Sequence, residues 1–442
     1  MSVAGLSSNA AGSAQASGVR RRVRTPIVTA KAGDHQAIYY FLREIFGGPS
    51  RAAFHGLVAD PFYEPHDRLL LRRMGRIVAH VHLTHRVMQF GPVQVPVAGL
   101  DWLAVAANCR RQGLGSHLLL AAQRQMARSG ILIGLLRTRA PLFFRRSGWA
   151  VCGRHSSCIA DAHALLGRLL QRGVRPGRHH RLQIRPWRRW EEAGLMRVYN
   201  QNLPGNYGPL ERTRAYWQWL LQRRAFDQLY VALDGPNLWD LDESTTQLVG
   251  YAAIKGQAVI ELMTVPGRPK AAMELLARIA GEAIEQDRSS VVLHAPAASP
   301  LLAIFDEADG WRRDREVFDG EVYMARLVNP LGVLRRLSGE FFRRAAEAQL
   351  PRPLELGLSV EGQRYQIEID RDRAAVAADQ LGRSYLRLNV AEFTRLVLGQ
   401  LDWDQALAEG RLDPSTALAR QTGQVLFPPL PLWRPPLDEL MA

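Results

Sequence analysis

The sequence predicts an α+β protein in which two mixed-sheet units flanked by helices precede a smaller α+β unit. Three observations predict it. A glycine turn, Arg110-Arg111-Gln112-Gly113-Leu114-Gly115-Ser116, separates the apolar run 100–106 from a segment whose Leu114, Leu118, Ala121 and Ala122 recur at helical spacing. Strand and helix patterns restart in the same order from Leu182. Finally, Leu354, Leu356, Leu358 and Val360 alternate strictly, Glu361-Gly362 turns, and Tyr365, Ile367 and Ile369 alternate back, as in an antiparallel hairpin with one buried face.

Composition bounds the class. A chain of 442 residues holds roughly two to four domains, and 47% hydrophobic with 22% charged residues describes a globular protein. No apolar run approaches the ~20 residues of a membrane span. Residues 1–25 are expected to form a disordered basic tail, because Arg20-Arg21-Arg22-Val23-Arg24 follows the small residues, the reverse of a secretory signal. Three cysteines, Cys109, Cys152 and Cys158, suit neither a disulfide framework nor a zinc pattern, so a reducing cytoplasm and no metal are expected. The net charge of +15 attracts anions in general. Aromatic residues are not interleaved with the basic ones, so no nucleic-acid module is expected.

The first unit is placed at 26–158. A short strand at 26–30, a helix begun by Asp34 and ended by Gly47, and a second helix from Ser50 to Ala59 precede a hairpin of 68–73 and 76–84 turned by Met74-Gly75. His80, His82 and His85 lack Cys or carboxylate neighbours and are expected to be half-exposed strand histidines, not metal ligands. A strand from Val93 leads into the glycine turn. The free N–H groups of the following helix carry partial positive charge, and Gly113 and Gly115 let a phosphate approach them; a plain strand-to-helix turn uses glycines too. The helix to Arg128, a buried strand at 131–136, a short helix in Pro141–Gly148 and a strand through Val151 complete the unit.

The segment Val105 to Gly115 has the V-x-x-x-x-R-x-x-G-x-G form, and Phe143-Phe144-Arg145-Arg146-Ser147-Gly148-Trp149 matches a downstream F-Y-x-x-x-G-F form. On these two motifs residues 26–155 resemble a GNAT-superfamily N-acetyltransferase domain. Beyond a basic linker at 159–182, a second unit at 183–328 repeats the plan but carries Val265-Pro266-Gly267-Arg268-Pro269-Lys270 where the phosphate loop should stand. Prolines withhold N–H groups, so this copy is expected to be degenerate. The third unit, 329–442, is read as helices at 331–337 and 341–348, the hairpin, a helix at 390–398 and another at 413–422, then a proline-rich extended tail. The whole order resembles the enhanced intracellular survival (Eis) family, which implies tandem GNAT-like domains, a sterol-carrier-protein-like C-terminal domain and a homo-oligomer, a hexamer in that family.

The resemblance implies acetyl-CoA as co-substrate, with the backbone of Leu103, Ala104 and Val105 along its pantetheine arm. Main-chain N–H groups of Arg111, Gln112, Gly113, Leu114, Gly115 and Ser116 would meet its diphosphate, with charge added by Arg110 or Arg111. Asp101, facing the same way as Leu103 and Val105, is either the proton acceptor, directly or through water, or a strand-end aspartate that bonds backbone. Phe144 stands where the family has a tyrosine that protonates the departing thiolate; His117 and Ser116 are substitutes. The family also uses its terminal carboxylate as a base, which transfers here to Ala442, with Asp438 and Glu439 beside it.

The function expected is therefore acetyl-CoA-dependent N-acetylation of a primary amine, on a lysine side chain or on a polyamine-like or aminoglycoside-like molecule. Two alternatives stand beside it. Aminoacyl-tRNA-dependent transferases also pair such domains, and a non-catalytic binder of acyl-CoA or an apolar ligand would tolerate Phe144.

Overall fold

The computed structural model describes residues 26–174, 182–223, 225–235 and 246–438. The first domain opens with β1 (Ile27–Thr29), α1 (His35–Phe46) and α2 (Arg51–Val58). It continues through β2 (Arg68–Arg73), β3 (Arg76–Phe90), β4 (Val93–Val105), α3 (Leu114–Arg128), β5 (Ile133–Thr138), α4 (Pro141–Arg145) and β6 (Ala150–Val151). Gly47 closes α1 in the left-handed conformation, and the Ser50 hydroxyl accepts from Ala53 N to start α2. Strands β1 to β4 pair antiparallel in succession, and β4 then pairs parallel with β5.

Then come β7 (His155–Asp161), α5 (Ala162–Gln171), β8 (Leu182–Pro186), α6 (Glu192–Gln201), β9 (Tyr207–Leu210) and α7 (Arg214–Gln222). They lead to β10 (Gln228–Asp234), β11 (Gln247–Lys255), β12 (Ala258–Thr264), α8 (Pro269–Glu285), β13 (Ser290–His294), α9 (Leu302–Glu307), β14 (Trp311–Arg315), β15 (Val317–Phe318) and β16 (Glu321–Leu327). The second sheet runs β14-β7-β13-β12-β11-β10-β8, and its one parallel pair, β12 with β13, corresponds to β4 with β5.

The two sheets exchange strands. β7 lies in the second sheet between β13 and β14, whereas β16 returns to the first and pairs with β5 along Val322–Leu327. The divisions read from sequence at 158 and 328 therefore do not follow the sheets. Residues 159–161, expected in a linker, end β7, because Cys158 and Ala160 bury against the second core. The stretch that follows forms α5, whose Asp161 cap accepts from Ala164 N.

The third unit contains α10 (Pro330–Arg336), α11 (Ser338–Glu347), β17 (Leu354–Val360), β18 (Gln363–Ile369), β19 (Ala374–Ala378), β20 (Tyr385–Leu388), α12 (Val390–Val397), α13 (Trp403–Ala408), β21 (Leu412–Pro414) and α14 (Ala417–Leu426). Its sheet runs β19-β18-β17-β20-β21. The helix expected at 413–422 begins later. Asp413 precedes a proline and is extended in β21, and Thr416 caps α14 by accepting from Ala419 N. Leu356, Leu358, Ile367 and Phe393 share one core with Met88, Val95, Val97 and Ile133 of the first sheet, so this unit closes the end of the first domain.

From Phe427 the chain crosses the molecule as an extended strap. Leu430 N donates to Gly399 O at 2.9 Å and Trp433 N to Tyr207 O at 2.9 Å, and Leu437 is buried.

Candidate active site

Strand β4 is bent by a bulge at its C-terminal half. His80 faces Ala104 and His82 faces Asp101, so Val81 alone opposes both Trp102 and Leu103. Trp102 absorbs the extra residue at φ +55°, a conformation a bulky side chain adopts only when its surroundings hold it there. The surroundings are specific. His80 Nδ1 donates to Trp102 O at 2.9 Å, and its Nε2 accepts from Arg68 Nη1 at 3.1 Å. Arg68 is fully buried, its guanidinium 5.2 Å from the Phe54 ring and 5.2 Å from the Tyr63 ring, and Nε donates to Tyr63 Oη at 3.0 Å. Burial and this cation bring the His80 pKa down to about 3, so the imidazole is neutral and keeps one acceptor for Arg68.

These histidines correct the expectation of half-exposure: His80 is 0% and His82 2% exposed. The β2–β4 sheet is covered by α1 and α2 on one face and by α3 on the other, so alternation along β3 buries both sets of side chains. His85 is half-buried and pairs with Asp67 at 3.0 Å. Among the described residues no cluster of His, Cys, Asp or Glu could hold a metal ion.

Strands β4 and β5 pair only at Val97–Ile133, Ala98–Gly134 and Gly99–Leu135 and then diverge. The divergence leaves backbone N–H and C=O groups of both strands facing a cleft of about 1280 Å³. Leu103, Ala104, Val105, Arg110 and Gly115 line one end of it, and Asp101, Thr84 and His82 line its middle. At the loop, Gly113 is the left-handed residue before α3 at φ +79°, and Arg111 is also left-handed at φ +60°. The first turn of α3 has no acidic side chain and no side-chain cap, so its N–H groups are available to an anion. Leu114 anchors the turn in the core, while Arg110, Arg111, Gln112 and Ser116 are exposed. Arg110 Nε reaches back to Val105 O at 3.3 Å, and Gln112 accepts from Arg73 at 2.7 Å.

Asp101 is half-buried in the cleft wall, with Oδ2 accepting from Thr84 Oγ1 at 3.2 Å. Burial pushes its carboxyl up from the ordinary value, against the hydrogen bond from Thr84 and the charges of Arg86, Arg434 and Arg68. A side-chain partner thus stands where the backbone-bonding alternative had been open. His82, opposite Asp101, has a buried Nδ1 without a hydrogen-bond partner. Its place in the cleft was not legible, because nothing in the local sequence separates it from His80.

Phe144 lines the cleft at 6% exposure and packs edge-on against Phe143, 5.0 Å away between centroids, and Trp149, 6.2 Å away. Neither His117 nor Ser116 lines the cleft. The far end is built by the second domain and the strap. Tyr216 and Trp219 of α7 stack 5.2 Å apart, Arg86 lies 4.8 Å over Tyr216 and pairs with Asp60, and Asp438 reaches the wall from the strap. Ala442 and Glu439 lie outside the described residues. Asp438 is not a free acid: it meets Arg212 at 3.0 Å, and Arg212 also holds Glu261 of β12 at 2.5 Å, both carboxylates fully buried. Tyr251 Oη donates to Glu261 at 2.6 Å. So β12, the counterpart of β4, carries a sealed ion cluster, and α8 starts at Pro269.

A mixed sheet that splays beside a bulged strand, with a glycine turn and helix N-terminus below, is an arrangement suited to an extended, anionic ligand. Residues 26–152 match the family described as an acetyltransferase (GNAT) domain. Over most of its length the chain shares the fold of a GCN5-related N-acetyltransferase from Anabaena variabilis (TM-score 0.71, 17% identity, 92% of this chain and 98% of that one). It is similarly related to one from Kribbella flavida (0.70, 15%, 92% and 97%) and to Eis1 from Mycobacterium abscessus (0.64, 15%, 91% and 97%). No curated protein sequence matches it.

Proposed function

We propose that the protein is an acetyl-CoA-dependent N-acetyltransferase acting on a primary amine, with one active site per chain in the first domain. The observation that carries this is the junction of the β4–β5 cleft with the Arg110–Ser116 turn. The turn suits a diphosphate, the diverging strands suit the amide groups of pantetheine, and the freed N–H groups at the bulge suit the oxygen of a thioester as it becomes an oxyanion. Asp101, held by Thr84, takes the proton that the ammonium must lose before nitrogen attacks the thioester carbon. The new C–N bond then expels the CoA thiolate. With Phe144 in place of a hydroxyl donor, the thiolate leaves as such or takes its proton from water.

The prolines at the start of α8 and the ion cluster on β12 support a second domain that shapes the acceptor end and holds no CoA. The helix–hairpin–helix order of the third unit supports a sterol-carrier-like reading of it. Because Phe144 supplies no proton, a non-catalytic acyl-CoA binder is the second reading.

Isothermal titration with acetyl-CoA tests the donor site, with no heat at high ligand concentration rejecting both readings. Thiol release against an amine panel separates them, since binding without any turnover leaves only the binder.

A further inference from the structure

The carboxylates of the cleft are nearly all committed. Asp60 pairs with Arg86, and Asp438 is held by Arg212. Glu321 meets Arg137 at 2.9 Å, and Asp319 meets Arg139 at 2.9 Å. Asp101 alone remains, and the proposed chemistry uses it for the proton. A polyamine or aminoglycoside, with several ammonium groups to satisfy, finds no second free carboxylate among the described residues of this lining.

The cations are not balanced in the same way. Arg223 lines the cleft just beyond α7, with its guanidinium 4.9 Å over the Trp219 ring, and among the described residues it makes neither an ion pair nor a hydrogen bond. Its platform is rigid. Trp219 Nε1 donates to Gly56 O of α2 at 2.7 Å, which ties the two helices together, and its ring stacks on Tyr216, 5.2 Å away between centroids. Each ring of the stacked pair thus carries an arginine, Arg223 over Trp219 and Arg86 over Tyr216. Arg86 pairs with Asp60; Arg223 feels that carboxylate only through space and pairs with no carboxylate among the described residues. A guanidinium over an aromatic face still has its N–H fork with which to recognise carboxylate and phosphate.

We propose that the acceptor amine carries an oxyanion, a carboxylate or a phosphate, which Arg223 holds against Trp219 while the amine reaches Asp101. This deepens the acetyltransferase reading and rests on it for the role of the amine. It replaces the polycationic acceptors expected from sequence with an amine of zwitterionic or anionic character.

The test is titration of the CoA-saturated protein with β-alanine, 4-aminobutyrate, 6-aminohexanoate and O-phosphoethanolamine, each against its uncharged amide or alcohol and the matching diamine. At least one anionic amine should bind roughly tenfold to a hundredfold more tightly than its neutral partner, the scale of one charged hydrogen bond. R223A should abolish the preference and R223K should retain part of it. The carboxylate and phosphate arms name the source. Diamines binding as tightly, no anionic amine binding, or a preference that survives R223A overturns the proposal. Thiol release is read separately: an anionic amine that binds but is never acetylated removes the enzyme reading and leaves the anion site standing.

Discussion

The Nδ1 of His80 donates to the carbonyl of Trp102 at 2.9 Å, and through that bond a buried arginine two strands away fixes the bulge beside the proposed donor site. The bulge residue is left-handed and bulky, so it stays in place only while this carbonyl is held. H80A should lower stability by ~2–4 kcal/mol, since it leaves both Arg68 and the carbonyl unsatisfied. It should also weaken acetyl-CoA binding, seen by titration at a temperature where the variant remains folded.

The same histidine sets a pH limit. Unfolded, it takes a proton below about 6.5; folded, it resists until about 3. The unfolded state therefore binds the extra proton between these values, and wild-type stability should fall as pH drops through that window. Denaturant midpoints measured across the window should show a steeper loss in the wild type than in H80Q.

The base role proposed for Asp101 requires it ionised, and burial raises its pKa. Turnover should fall as pH drops through that raised value and level off above it. D101N should lose about two to four orders of magnitude in kcat and show no such acid limb. Since ionising a carboxyl whose folded pKa is raised weakens the fold at higher pH, D101N should also melt above the wild type near neutrality.

F144Y restores a hydroxyl on a ring that already lines the cleft. If thiolate departure limits the rate, kcat should rise severalfold with little change in KM. An unchanged kcat in a folded F144Y would place the slow step elsewhere.

R212M leaves Glu261 and Asp438 as unpaired buried carboxylates. A loss of about 3–5 kcal/mol is expected, read from denaturant unfolding. G113A puts a side chain at φ +79° and should cost ~1–2 kcal/mol while raising KM for acetyl-CoA.

Local chemistry made the turn and aromatic segment of the proposed donor half legible. A glycine forced left-handed at Gly113, an apolar anchor at Leu114 and the aromatic pair Phe143-Phe144 announce their positions within a few residues. The acceptor half came from distance. Trp219, Arg223 and Asp438 lie far along the chain from Asp101, and no short-range pattern says that α7 and the strap will face β4. His80 and His82 misled because alternation reports one buried face, whereas two helical layers bury both. β7 read as linker because its partners, β13 and β14, lie more than a hundred residues downstream.

The exchange of β7 and β16 has a consequence for how the molecule is made. The open edge of β5 is covered only when residues 321–327 arrive, and β7 waits through most of the second domain for β13. During synthesis the donor-binding sheet therefore leaves the ribosome with an unpaired edge, a state prone to mispairing with other chains. Neither half is an excisable module: a fragment ending near residue 158 should be insoluble alone, and co-expression with the remainder should rescue it.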